Sequence, residues 1–540
     1  MFDYLYERNS GYPNDIAIDY YGHKYTYSDL FYLIDKCCQN LAALGIQKGD
    51  VVTIQAMPLP QVIVLLYALT RIGACGNMLY PDSKANDVVA SMNKTDSKIL
   101  FVIDKILELY EKDIPDCFSH TIVLLNVADQ MSLIPRIIAK KKAAYKQTNT
   151  KLNTITWNEF INKKGQSYSE NHDGSLPAFM LRTGGTTGIP KEVVLSSRNF
   201  NSVAEGTYYS NIAVWERQKT SLLLQPPFIA FGISSGVHHA LAFGITLIVT
   251  LDVSPAVISK LMCKYRPNYI IAGTVQIESY MSDMEKKKDT LEYVKLLAVG
   301  GEAMSTAFEE NLQRFLKERN CPVAHTKGYG LTETSGSILA EMIDVHKTGS
   351  VGIPIGLANV RIVDTETGKE LSYDEPGEIC LSGPSIMQGY YQNQEATDDI
   401  IETIDGERWL HTGDVGYMSK DGLLIITGRI KRIIVCKEGI LYHKVFPLVL
   451  ENQLSKVQGV QEITIVGRPD VDKGNLLVAY VVPESQKLSE QIVNNLKAYC
   501  DANFESYERP VDYVFMTEFP RTLIGKVNYR ALEDMQKDNG

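Results

Sequence analysis

The sequence of 540 residues carries no apolar run that could cross a bilayer. The hydrophobic stretches Val62–Leu69 and Ala240–Val249 fall far short of the roughly 20 residues a spanning helix needs. The amino terminus lacks the basic start and apolar run of a signal peptide, so a cytosolic (cytoplasmic) protein is expected. Positive charge is in deficit. The 54 Lys and Arg against 64 Asp and Glu leave a formal charge of −10, without the basic footprint that nucleic-acid binding requires. Two short lysine runs, Ala139–Lys146 and Glu285–Lys288, read as solvated faces, not as a membrane patch. Nine cysteines, odd in number and without a C-x-x-C spacing, argue against a disulfide framework or a zinc site and fit free thiols. Repeats and low-complexity segments are absent. So are the Walker pattern G-x-x-x-x-G-K-[ST] and a G-x-G-x-x-G opening a helix after the first strand, which disfavours a nicotinamide dehydrogenase.

What is present is strand–helix alternation. Val51–Gln55, Lys98–Ile103, Thr121–Leu125, Ile245–Thr250, Tyr269–Gly273 and Val294–Gly301 read as buried strands. Between them lie helical patterns such as Tyr27–Leu44, closed by Gly45, and Pro255–Tyr265. The pattern predicts an α/β protein of helix-covered, mostly parallel sheets, with ligands beyond the carboxyl ends of the strands. A chain this long calls for more than one domain. From about Gly428 the texture changes to two paired strands (Glu462–Gly467 and Leu476–Val482), a helix over Leu488–Cys500 and a strand from Asp512. That predicts a small α+β unit of about 110 residues.

Four stretches carry candidate chemistry. In "RTGGTTGIPKEVV", Gly184, Gly185 and Gly188 free backbone N–H groups to approach an anion. Thr183, Thr186 and Thr187 add hydroxyls, and Lys191 adds a charge. Strand-like runs flank this loop on both sides. In "KGYGLTETSG", Gly328 and Gly330 bracket Tyr329, which could stack on a base; Thr332 can donate to phosphate and Glu333 can hold magnesium. In "RWLHTGDVGY" and the following "GRIKR", Asp414 can accept both ribose hydroxyls and Arg429 can add a donor. In "FPRTLIGKVNYR", Pro520 and Gly525 bracket a tight loop presenting Lys526. Taken singly, each has a bland reading as a loop, a turn or a surface charge.

Together and in this order they resemble the adenylate-forming (AMP-binding) superfamily of acyl-CoA synthetases, adenylation domains and firefly-type luciferases, with acyl-CoA synthetases the nearest group. "GGEAM" (Gly300–Met304), with Gly301, Glu302 and Ala303, looks like the adenine-binding strand end, and Gly377–Tyr391 has the family's G-E-I…G-Y spacing. The resemblance implies a large N-terminal domain over 1–428 that includes a β-subdomain. A hinge at 429–431 centred on Lys431 and a small, mobile C-terminal domain over 432–540 would follow. It implies an AMP-forming acid–thiol ligase using ATP and Mg2+, with Lys526, Thr332 and Glu333 catalytic. Coenzyme A, or the phosphopantetheine of an acyl or peptidyl carrier protein, is the implied acceptor, guided by the loop around Gly439.

The acyl pocket is expected at Phe228, Ile229, Phe231, Gly232 and Gly300, with Ser234 and Ser235 its main polar candidates. No acidic residue in Pro226–Gly236 would hold a substrate amine, which favours a fatty or aromatic acid over an amino acid. His238 and His239 read as core residues. Three positions depart from the family pattern. Ile229 stands where histidine is frequent, Glu192 stands where glycine is usual, and Val435–Pro447 is lengthened. A stand-alone enzyme loading a carrier protein stays open, as does a non-catalytic binder of ATP or an acyl-adenylate.

Overall fold

The computed structural model describes all residues except 116–117, 143–150, 184–190, 253, 285–288, 302–303, 439–440, 486–488, 522–526 and 538–540. The β-branched runs form strands where expected. Val51–Gln55 lies between the parallel strands Cys75–Leu79 and Ile99–Ile103, and the sheet continues through Thr121–Leu125 to Asn153–Thr156. On its other side, Pro177–Arg182 adds in parallel, then Glu192–Ser196 and Gly389–Tyr390 add antiparallel, making eight strands. A nine-stranded sheet has a parallel centre of Ile16–Tyr20, Thr246–Val249, Thr220–Leu223, Tyr269–Ala272, Leu296–Val299 and His325–Leu331.

Local signals set the helices. Thr26 accepts a hydrogen bond from the Asp29 N–H and so starts the helix Tyr27–Ala43. Gly45, at φ +81°, turns the chain away after it. The apolar stretch after Leu59 becomes the helix Pro60–Ile72, buried on all sides except Arg71. It belongs to a core that also takes side chains from both large sheets, including Ile54, Phe179, Leu247 and Leu296. Among the described residues, no helix is long and apolar enough to cross a membrane.

A β-unit follows, with Asn359–Val363, Gly377–Ser382, Glu407–Met418 and Ile401–Ile404 in order and Leu424–Arg429 paired to Glu407–Met418. Beyond it lie a hairpin (Ile434–Glu438 with Leu441–Val445) and a three-stranded sheet. Val460–Asp470 and Gly474–Pro483 pair far beyond the two runs read from the sequence, leaving only Val471–Lys473 as the turn. Helices Pro447–Leu454 and Ser489–Asn503 and strand Asp512–Phe515 share its core. The helix Ser489–Asn503 therefore runs three residues past the expected end at Cys500. The eight described cysteines are free.

Candidate active site

The strand His325–Leu331 of the nine-stranded sheet ends in a single turn, Thr332–Thr334. Glycine is required on the way. A Cβ on Gly330 would lie 1.8 Å from the Gly336 carbonyl of the neighbouring strand. Tyr329 between the glycines donates its hydroxyl to Asp414 Oδ2. Burial, then the charge of Asp414, pushes that phenol well above its ordinary pKa. Asp414 stands opposite Arg429 in the β-unit's ladder, and Arg429 Nε lies 2.7 Å from Asp414 Oδ1. An aromatic ring, a nearly buried carboxylate and a half-exposed guanidinium thus meet at one point.

Glu333 sits on the turn that follows. Its Oε1 accepts the Tyr390 hydroxyl at 2.8 Å, and among the described residues its Oε2 has no partner. An anionic oxygen left in this position fits a hard cation such as Mg2+. The same Tyr390 ring lies under Lys191, whose Nζ is 4.5 Å from the ring centroid. Lys191 closes the base of the glycine-rich loop: its carbonyl accepts the Thr183 N–H at 3.0 Å, and its own N–H donates to Thr183 Oγ1 at 3.2 Å. The loop bridges two antiparallel strands, Pro177–Arg182 and Glu192–Ser196.

Below this surface, charges are buried in quantity. Lys327 Nζ lies 2.7 Å from Glu309 and 3.6 Å from Glu341, and both carboxylates are buried. His346 Nδ1 approaches Glu341 at 3.0 Å and His325 Nε2 lies 3.5 Å from Glu309. Burial raises the Glu309 carboxyl, but hydrogen bonds from His325 and Lys327 and the lysine's charge outweigh it, holding the group at about 2. The cluster anchors Lys327, one residue before the Gly328–Gly330 segment.

On the other side, Phe228 packs edge-to-face on Tyr80 with centroids 5.6 Å apart, and the Phe231 ring tip lies 3.9 Å from where a Gly300 Cβ would stand. The chain after Phe231 forms a π-helix, Gly232–His238. A Cβ on Gly232 would meet the Pro226 carbonyl at 1.9 Å, so only glycine permits this turn.

Residues 5–391 match the AMP-binding enzyme family and residues 449–526 match the AMP-binding enzyme C-terminal domain. The chain belongs to the AMP-binding enzyme family. The enzyme is 26% identical over 538 residues to a long-chain-fatty-acid–CoA ligase of Bacillus subtilis, spanning 98% of this chain and 93% of that protein. It is 26% identical over 511 residues to a probable 4-coumarate–CoA ligase 1 of Dictyostelium discoideum, spanning 93% and 88%. Its fold matches ATP-bound MatB from Rhodopseudomonas palustris with a TM-score of 0.80 at 22% identity, over 99% of both chains. It also matches o-succinylbenzoate CoA synthetase of Bacillus subtilis in complex with its acyl-adenylate, with a TM-score of 0.78 at 21% identity over 99% and 98%. The large N-terminal and small C-terminal arrangement is the one these folds share.

From three of the four stretches, the structure joins Tyr329, Asp414 and Arg429 in one cluster and Lys191 and Glu333, through Tyr390, in another. Gly184, Gly185, Thr186, Thr187, Gly188, Glu302, Ala303, Gly439 and Lys526 lie outside the described residues. The loop carrying Lys526 is nonetheless closed at its base, where Arg521 bridges Val527 and the Asn528 N–H donates to the Pro520 carbonyl at 2.7 Å. Lys431 occupies a single turn, Ile430–Arg432. The segment Val435–Pro447 contributes to the paired strands Ile434–Glu438 and Leu441–Val445, and Leu441 and Tyr442 are exposed.

Ser234 is buried, and its hydroxyl donates to the Ala230 carbonyl at 2.9 Å. His238 and His239 are core residues, as expected. His238 is held between Tyr67 at 3.2 Å and Asn201 at 2.9 Å, and burial pushes its pKa well down. Three features escaped the sequence. Tyr390 ties Glu333 to Lys191. Lys94 pairs with the unusual Glu192 at 2.6 Å. Arg432 pairs with the buried Glu451 at 2.6 Å.

Proposed function

We propose that the enzyme is an ATP-dependent, AMP-forming carboxylic acid–CoA ligase acting on an apolar, fatty or aromatic acid. The observation that carries this reading is the convergence of two half-sites. Asp414, Arg429 and Tyr329 form a sugar-and-base grip, while Lys191 and Glu333 flank Tyr390 as a phosphate-and-cation grip. In the first step a substrate carboxylate oxygen attacks the α-phosphorus of ATP, the bond to the β-phosphate breaks, and pyrophosphate leaves. The loop 183–191 would hold the departing phosphates through backbone N–H groups and Lys191. Thr332 and Lys526 would stabilise charge at the α-phosphate. Glu333 would hold Mg2+, which supplies electrostatic neutralisation of the phosphates when bound.

In the second step a pantetheine sulfur attacks the acyl carbon, its proton is lost, and AMP leaves with the bonding pair. Rotation about Lys431, at the junction of the proposed domains 1–428 and 432–540, would exchange Lys526 for the hairpin around Gly439. Phe228, Ile229, Phe231 and Gly232 with Gly300 would wall the acyl site. The fatty-acid and coumarate ligases among the relatives support an apolar acid and coenzyme A as acceptor. The free thiols suit a cytoplasmic setting.

Pyrophosphate release is the test, measured with ATP and Mg2+ over fatty, aromatic and amino acids, with and without coenzyme A. Release with an apolar acid, followed by acyl-CoA formation, is expected. Lys526→Ala should lower adenylate formation by roughly 10²–10³. Adenylate that never passes to coenzyme A would move the acceptor to a carrier protein. No release with any acid would reject the ligase.

A further inference from the structure

We propose that Tyr390 is a positioning residue for the cation site, fixing Glu333 so that one carboxylate oxygen is committed and the other is presented. The inference rests on the ligase reading above. It begins from how tightly Tyr390 is itself held. Gly389 and Tyr390 pair with Val194 and Val193 at the edge of the eight-stranded sheet, beside the strand that starts at Glu192. The Tyr390 N–H donates to Thr397 Oγ1 at 2.9 Å. Just upstream, Arg408 donates to the carbonyls of Met387 at 2.9 Å and Gln388 at 3.0 Å. The Met387 N–H in turn donates to the carbonyl of Glu333 itself at 2.8 Å. One segment therefore grips Glu333 twice, at its backbone through Met387 and at its side chain through the Tyr390 hydroxyl.

The hydroxyl is a fitting group for this task. It gives Glu333 Oε1 a neutral donor at 2.8 Å without neutralising the carboxylate. Both Glu333 and Asn or Gln alternatives could accept that bond, but only the carboxylate retains an anionic second oxygen for a hard cation. The ring does separate work, since its face takes the Lys191 ammonium at 4.5 Å. Tyr390 thus sets the spacing between the lysine of the phosphate loop and the carboxylate of the next motif. Partners that orient a metal ligand in this way typically change metal affinity by about 10–100-fold when removed.

Phenylalanine at this position keeps the ring and deletes only the hydroxyl, which makes the test selective. ATP binding would be measured by calorimetry in Mg2+ and in EDTA, without acid or coenzyme A, so that no turnover occurs. Wild type should bind more tightly in Mg2+. Tyr390→Phe should lose about 10–100-fold of that gain with its EDTA affinity unchanged. Tyr390→Leu should weaken EDTA binding as well, because Lys191 loses the ring. Combining Tyr390→Phe with Glu333→Gln should add little to Glu333→Gln alone, as expected for coupled groups. A wild-type Mg2+ gain in Tyr390→Phe, or equal losses in Mg2+ and EDTA, would overturn the positioning role while leaving the ligase standing. A wild-type enzyme that binds no ATP would overturn both.

Discussion

Replacing Lys327 by methionine removes the ammonium from a buried site that holds two carboxylates. Lys327 Nζ lies 2.7 Å from Glu309 and 3.6 Å from Glu341, and it also donates to the Lys347 carbonyl at 3.4 Å. Glu309 falls from an ordinary 4.5 to about 2 in the fold. That depression, which His325 and the Gly349 N–H share with Lys327, corresponds to about 3 kcal/mol of stability. Because the folded value lies below the unfolded one, the contribution is complete above about pH 4.5 and disappears as pH falls through about 2. Leaving buried carboxylates without their partner typically costs about 3–5 kcal/mol. Lys327→Met should therefore lose about 3 kcal/mol or more at pH 7, and the deficit should narrow by about 1 kcal/mol by pH 4, as the variant's folded Glu309 carboxyl, without the lysine, takes up a proton that the wild-type fold keeps off. Urea unfolding followed by tryptophan fluorescence reads this out. Trp157, Trp215 and Trp409 all precede Gly428, so the signal reports the large domain. A loss below about 1 kcal/mol at pH 7, or one that does not depend on pH, would refute the reasoning.

Asp414→Ala deprives both Tyr329 and Arg429 of their acceptor, and should lower kcat/KM for ATP by about tenfold to a hundredfold; an unchanged value would remove Asp414 from the nucleotide grip. His411 should remain cationic well beyond neutrality. Its hydrogen bond with Cys380, then that with Glu378, push it up to about 11. A histidine raised above its unfolded value of 6.5 contributes fully below that pH and loses the contribution as pH rises through about 11. Nuclear magnetic resonance of the ring nitrogens should show no titration of His411 between about pH 6 and pH 9. A midpoint within that range would contradict the Cys380–His411–Glu378 arrangement.

Much of this was legible in the sequence because the signals are local. The β-branched runs specify strands by composition, Thr26 and Asp29 specify a helix start three residues apart, and the glycine-rich stretches advertise turns that only glycine allows. The pieces that stayed hidden are those whose cause is distant in the chain. Tyr390 meets Glu333 across 57 residues, and Lys94 meets Glu192 across 98. No periodicity announces such pairs. Glu192 stands where glycine is usual in the family pattern, and its partner Lys94, at 2.6 Å, comes from a distant helix. The π-helix at Gly232–His238 was hidden for a related reason. Its tight entry depends on the close approach of Pro226, a packing event rather than a propensity. The Ser234 hydroxyl, a polar candidate for the acyl site by sequence, donates to the Ala230 carbonyl, a bond no local pattern signals.

The pairing of Asp414 with Arg429 has a mechanical consequence. Arg429 ends the last strand of the β-unit, and Lys431 lies two residues further on in the turn that leads to the hairpin. In the proposed rotation about Lys431, the Asp414–Arg429 pair stands almost on the axle. Points near an axle travel little, however far the rim swings. On the proposed ligase reading, parts of the small domain far from Lys431 would sweep long arcs while the Asp414–Arg429 pair kept its place, so one nucleotide could serve both half-reactions without being handed over.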